Sequence, residues 1–141
     1  MKKKLWIMAC TFFMCASIFA QTGPQTAEEW NDYGLYALDD GEYDYAIEFF
    51  TRAIRLDPNY YLAYHNRGVA YLHKRDHDRA IADLTQAIRL DPNFALSYTI
   101  RGYAYAEKRD FDRAIADLEA ALRINPNNPE VRENLEAIRQ Q

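Results

Sequence analysis

The chain has two cysteines in 141 residues, Cys10 and Cys15, and both fall within its first twenty positions. From residue 21 onward no thiol remains, which excludes a disulfide framework and a cysteine nucleophile and leaves stability to the core alone. Serine is nearly as scarce: past residue 20 only Ser97 is left, set between apolar positions. No glycine-rich phosphate loop, no His-Glu-x-x-His pair and no carboxylate isolated in an apolar setting is present, so catalysis is not expected. Basic charge is short too. Three of the 17 Lys and Arg residues are Lys2, Lys3 and Lys4, so residues 21–141 hold 14 basic side chains against all 21 acidic ones, a net of −7. Nucleic-acid binding is driven largely by Lys and Arg neutralising phosphates, and a body this acidic, with no basic stripe, is not expected to bind one. At 141 residues the chain forms one domain at most.

The longest apolar run spans residues 5–20, 16 residues, short of the roughly 20 that cross a bilayer as a helix. It follows the three lysines and gives way abruptly to the polar Gln21-Thr-Gly-Pro-Gln25. A basic start, an apolar stretch and a small residue at the border make a secretory signal peptide over residues 1–20, cut after Ala20, in a bacterial protein bound for the periplasm or the exterior. Two other fates are open to the segment. It can be retained as a membrane anchor facing the periplasm, or be lipidated at Cys10, where Ile7-Met8-Ala9-Cys10 loosely resembles a lipobox.

What the body does contain is a period. Gly34, Gly68 and Gly102 stand 34 residues apart, and so do Ala46, Ala80 and Ala114, Ala53, Ala87 and Ala121, and Pro58, Pro92 and Pro126. Residues 61–94 and 95–128 share 20 identities in 34, including Asp78–Leu84 against Asp112–Leu118. Each unit reads as two helices with a turn at Asp40-Gly41, Arg75-Asp76 or Arg109-Asp110. In the second helix of the second unit, Ala80, Ile81, Leu84, Ala87 and Ile88 form an apolar stripe of helical period. Glycine inside a helix costs roughly 1 kcal/mol against alanine, so its recurrence at one register implies close helix approach. The recurring proline ends each second helix. Thr26 with Glu29 makes a capping box, and Asn128-Pro129 opens a last helix whose stripe is Val131, Leu135 and Ile138.

Numbered from Ala27, Tyr61 and Ala95, the units place an aromatic at position 4 (Trp30, Tyr64, Tyr98), glycine at 8, tyrosine at 11 in the last two (Ala37 in the first), alanine at 20 and 27, and proline at 32. This pattern resembles the tetratricopeptide repeat (TPR) family. The resemblance implies an all-α TPR solenoid of three helix-turn-helix repeats, 27–60, 61–94 and 95–128, after a short linker at 21–26 and before a capping helix at 129–141. Three repeats are about the minimum for such an array, and its ends need a polar cover.

The resemblance also implies a concave groove lined by first-helix positions 2, 5, 9, 12 and 13. Carried over, these are Asn31, Leu35 and Leu38; Leu62, His65, Val69, Leu72 and His73; and Leu96, Thr99, Tyr103 and Glu107. Such a surface, mostly apolar with polar edges, suits a protein or peptide segment, an amphipathic helix or an extended hydrophobic stretch. Tyr103 is expected to face Val69 and Leu72 at its centre. Relatives that hold acidic chaperone tails use Lys, Arg and Asn in the groove. Here Asn66 matches, but the basic slots hold Asn31, Leu96 and Ile100, so that clamp is not expected.

The other candidates have structural readings. Tyr43, Tyr64, Tyr71, Tyr98 and Tyr105 fill packing slots. His73 and His77 are four apart, a spacing that can bind metal on one helical face, but a turn falls between them, so no metal or cofactor is expected. Asp83 and Asp117 are read as exposed second-helix positions beside Arg79 and Arg113 at i,i+4, adding a few tenths of a kcal/mol to helix stability. Two functions follow: an exported adaptor binding a protein segment in its groove, or a membrane-tethered assembly factor retained by its N-terminal helix or by lipidation.

Overall fold

A computed structural model describes residues 23–141, so the segment 1–20 and the start of the linker lie outside the described residues. Seven helices and no strand occur among the described residues: α1 (Ala27–Asp39), α2 (Tyr43–Leu56), α3 (Tyr61–His73), α4 (His77–Leu90), α5 (Ala95–Glu107), α6 (Phe111–Ile124) and α7 (Pro129–Arg139). None of these is long and apolar enough to cross a membrane. Each helix packs on its neighbour in the chain. In addition α1 lies on α3 and α3 on α5, so the first helices of successive repeats form one layer.

Local chemistry sets the helix ends. The Thr26 hydroxyl accepts from the Glu29 amide at 3.1 Å while the Glu29 carboxylate takes the Thr26 amide, the reciprocal box expected for α1. Asp76 and Asp110 cap α4 and α6 by accepting from the amides of Arg79 and Arg113, and Asn128 caps α7 through Val131. Between the two helices of a repeat the chain turns through one left-handed residue: Gly41 in the first repeat, but Arg75 and Arg109 in the others, at φ 60° and 61°. The second helices stop at Leu56, Leu90 and Ile124, two residues before the recurring prolines.

The core repeats with the sequence. Ala46, Ala80, Ala114, Phe50, Leu84 and Leu118 are fully buried, as are Ala53 and Ala87. The first-helix glycines face these residues. A Cβ on Gly68 would meet Cγ of Leu84 at 2.9 Å and the Ala80 carbonyl at 3.3 Å, and one on Gly102 would meet Leu118 at 3.1 Å. The close approach inferred from glycine and from alanine at position 20 is therefore present, with position 24 supplying the nearer atoms.

Helix α7 closes the array. Val131 and Leu135 join Leu118 and Ala121 in one buried cluster, with Ile138 and Tyr103 packed at its margin. Arg139 reaches back to Glu119 at 2.7 Å. Deleting residues 129–141 should uncover this cluster and make the end of the solenoid sticky. The expected result in size-exclusion chromatography is association or precipitation. A monomeric truncation with an unchanged thermal midpoint would remove α7 from the capping role.

Candidate functional site

The first-helix layer presents one stripe per helix. On α1 the exposed side chains Glu28, Asp32, Leu35 and Asp39 follow at spacings of four, three and four, which places them on one face. The same register gives Leu62, Asn66, Val69 and His73 on α3, and Leu96, Ile100, Tyr103 and Glu107 on α5. Because the three helices lie side by side, the stripes form one surface. Asn66 Nδ2 donates to Asn31 Oδ1 at 2.9 Å between α1 and α3, and His65 Nδ1 lies 2.9 Å from Ser97 Oγ between α3 and α5.

The expected groove residues divide by depth. Asn31, His65 and Thr99, the fifth residue of each repeat, are buried in the seams between helices. Thr99 turns its hydroxyl back to the Ala95 carbonyl at 3.2 Å. Leu38 and Leu72 are half-buried, and Leu38 packs against Ala37, Ala46 and Phe50. Leu62 and Val69 are half-buried, whereas Leu35 and Leu96 stand 36% and 48% exposed. His73 is exposed at the end of α3 and stacks on Tyr43, centroids 4.8 Å apart. Glu107 is exposed at the end of α5, 3.4 Å from His77 Nε2 and 3.9 Å from Arg75.

Tyr103 is half-buried and reaches the capping helix. It packs with Leu118, Val131 and Leu135, and its hydroxyl accepts from Asn134 Nδ2 of α7 at 2.8 Å. Burial pushes that hydroxyl above its ordinary pKa, the Asn134 hydrogen bond opposes the shift, and Glu130 adds to it. The capping helix lies against α6, where a further repeat would start.

Asp83 and Asp117 correct the sequence reading. They are 8% and 6% exposed, and their partners are Arg67 and Arg101, sixteen residues back, not Arg79 and Arg113. Each carboxylate takes two guanidinium hydrogen bonds, at 2.7 and 2.8 Å from Arg67 and at 2.7 Å each from Arg101. The remaining arm of each arginine donates to Thr51 or Thr85 on the second helix of the preceding repeat, at 3.0 and 2.9 Å. Burial disfavours the charge on both arginines, but the bonds and charge of the aspartates outweigh it, and the guanidinium pKa rises. Arg79 and Arg113 instead pair with the cap residues Asp76 and Asp110 and lie over Tyr71 and Tyr105. In the first repeat the corresponding slots hold Tyr33 and Phe49, in edge contact at 6.1 Å.

Sequence reasoning also missed the charge along the α1 edge. Positions 2 and 13 of the first repeat, by the same groove rule, are Glu28 and Asp39, and Asp32 lies between them. Burial, followed by the charges of Glu28, Asp32 and Asp57, raises the pKa of the half-buried Tyr60 hydroxyl at this edge. The sole Lys or Arg residues on α1, α3 and α5 are Arg67 and Arg101, both turned into their aspartates. No group of three His, Cys, Asp or Glu side chains is placed to hold a metal ion among the described residues.

His65 gives the seam a pH dependence. Desolvation lowers its pKa to about 4, from an ordinary value of 6.5. The unfolded chain therefore takes up a proton that the folded one refuses between those values. Stability from the neutral ring is complete above pH 6.5 and falls as pH drops toward about 4, by about 2 kcal/mol at pH 5. Urea melts at pH 7 and pH 5 should show that loss in the wild type and not in His65→Gln. Equal losses in both would assign the acid sensitivity to the carboxylates.

With this geometry in hand, comparison with known proteins identifies the class. The Tetratricopeptide repeat family model matches residues 16–61, 32–93 and 65–129, and the chain belongs to that family. A search of curated proteins finds no match. Among solved structures it is similar to the first TPR of Spaghetti (RPAP3) bound to an HSP90 peptide, SRMEEVD, with 29% identity over 82% of this chain and 92% of that one, TM-score 0.80. It is similar to the second TPR domain of human RPAP3 in complex with an HSP70 peptide, SGPTIEEVD, with 32% identity over 82% and 96%, TM-score 0.78. The Arabidopsis OM64 TPR domain follows at 27% identity over 82% and 95%, TM-score 0.79.

Proposed function

We propose that this protein is an exported adaptor that holds a segment of a protein partner across its first-helix surface. The observation that carries this reading is the apolar strip of Leu62 and Val69 on α3, with Asn66 between them, and Leu96 and Ile100 on α5, exposed or half-buried. A strip of this kind binds by burying aliphatic side chains, at about 25 cal/mol per Å² before ordering costs. Two of the similar structures hold peptides, which supports the mode of binding. The groove chemistry differs from one that would grip acidic tails, because Asn31, Leu96 and Ile100 stand in the basic slots and only Asn66 matches. The role is scaffolding, without chemistry.

Export rests on residues 1–20, with Lys2–Lys4, the apolar run and Ala20 before a polar break. The alternative is a membrane-tethered assembly factor of an envelope complex. Mass spectrometry of the native protein separates them: Gln21 as first residue supports the adaptor, and an intact lysine-rich start or a lipid on Cys10 supports the tether.

For a partner captured from the envelope fraction, Val69→Glu should weaken binding by about 1–2 kcal/mol, roughly tenfold, because it puts a charge in the apolar strip. Ala82→Glu, on the exposed face of α4, is the control and should bind as wild type. Thr85 is unsuited as a control, since it accepts the Arg101 hydrogen bond. If Ala82→Glu fails and Val69→Glu binds normally, the partner sits on the second-helix side and the groove reading falls.

A further inference from the structure

We propose that the segment held in this groove is cationic as well as apolar, with Lys or Arg over α1 and aliphatic side chains over α3 and α5; this rests on the groove reading above. Charge complementarity argues it. The α1 stripe is Glu28, Asp32 and Asp39 around a single Leu35, all exposed. The α3 and α5 stripes supply Leu62, Val69, Leu96 and Ile100, with no carboxylate before Glu107 at the far end of α5. Glu107 is near Arg75 and His77, so the uncompensated acid lies on the α1 side. The two arginines of this layer are both held by buried aspartates, so among the described residues no cation answers these acids from within the groove.

The arrangement is directional. Packed helices lie about 8–10 Å apart, and an extended chain advances about 3.3 Å per residue. A ligand crossing the layer therefore places its basic residue about three positions from the aliphatic side chain that meets Val69, and about six from the one that meets Leu96. An acidic tail laid the same way meets Glu28, Asp32 and Asp39 with like charge, which makes the α1 edge a device against such tails as well as an attraction for basic ones.

The test is selection of phage-displayed random twelve-residue peptides on the full chain, followed by affinity measurement of the selected peptides by fluorescence anisotropy. Enrichment of Lys or Arg about three residues from aliphatic side chains is expected. Binding should weaken about fivefold or more in the Asp32→Asn, Asp39→Asn double variant, and similarly when salt is raised from about 50 to about 500 mM. Peptides that lose binding in Val69→Glu but are neutral or acidic, and ignore the double variant, would overturn the cationic assignment and leave the groove standing. If no selected peptide is sensitive to Val69→Glu, the groove reading itself fails, and this inference with it.

Discussion

Asp117→Ala should lower the unfolding free energy by about 3 kcal/mol, measured by urea denaturation at neutral pH. The substitution removes little apolar contact. What it leaves is a guanidinium in a mostly buried slot, its side chain 16% exposed, with two donors that had bonded to the carboxylate at 2.7 Å. Breaking one partner of a buried pair costs more than the pair contributes, because the surviving charge has lost its compensation. The first repeat shows how the same slot is filled without charge. Tyr33 and Phe49 occupy it, sixteen residues apart like Arg101 and Asp117, with their rings in edge contact. The double variant Arg101→Tyr, Asp117→Phe should therefore recover much of the loss, a coupling that single substitutions cannot show. Recovery will be incomplete, since Arg101 also reaches Thr85 on the preceding repeat, and that tie disappears. An Asp117→Ala melt that matches wild type would mean the pair is solvated and contributes nothing.

That slot also marks where the sequence was legible and where it was not. The glycine, alanine and proline columns reveal the helical hairpin and its count, because small or breaking residues at fixed register answer to the repeat's own packing. The caps at Thr26 and Asn128 are equally local, and both are present. Asp83 and Asp117 are not legible this way, because the nearest opposite charge along the helix is not the partner. Arg79 and Arg113 are held by the caps of their own helices, and the true partners lie across a helix pair. The signal existed: Asp83 falls between Ala80 and Leu84 and Ala87, on the buried stripe, and Arg67 and Arg101 recur sixteen residues before their acids. The groove list shows the same limit. A position rule says which way a side chain leaves its helix, but whether it reaches solvent depends on the next repeat. His65 disappears against Ser97 of the third repeat and Phe94 at the end of its own, and Asn31 against Asn66 of the second. Tyr103 meets a capping helix whose own Asn134 is outside the repeat pattern.

Gly34→Leu should be at least as damaging as the loss of Asp117, about 3 kcal/mol or more, and the reason is particular to the first repeat. A Cβ at Gly34 would stand 2.5 Å from Cδ1 and 2.8 Å from Cζ of Phe50, and closer still to Cε1. Phe50 is fully buried among Ala37, Ala46 and Ala70, so its ring cannot turn away without displacing α1 from α2 or α3. Overpacking of a filled core typically costs 1–3 kcal/mol, and a side chain four heavy atoms larger lies at the upper end of that range. The smaller change is more discriminating. Gly→Ala inside a helix ordinarily gains up to about 1 kcal/mol from propensity. At Gly102, where the added Cβ would find Leu118 at 3.1 Å, that gain roughly offsets the crowding, and Gly102→Ala should melt close to wild type. At Gly34 the clash with the ring exceeds the gain, and Gly34→Ala should be clearly destabilised. Combining Gly34→Ala with Phe50→Leu gives the first repeat the leucine that the second and third already use at this slot, and should restore stability beyond either single change. Thermal melts of the five variants, Phe50→Leu alone included, followed by circular dichroism decide it. If Gly34→Ala is as stable as Gly102→Ala, or Phe50→Leu fails to rescue it, the close approach of α1 to the Phe50 ring is not what holds glycine at position 34.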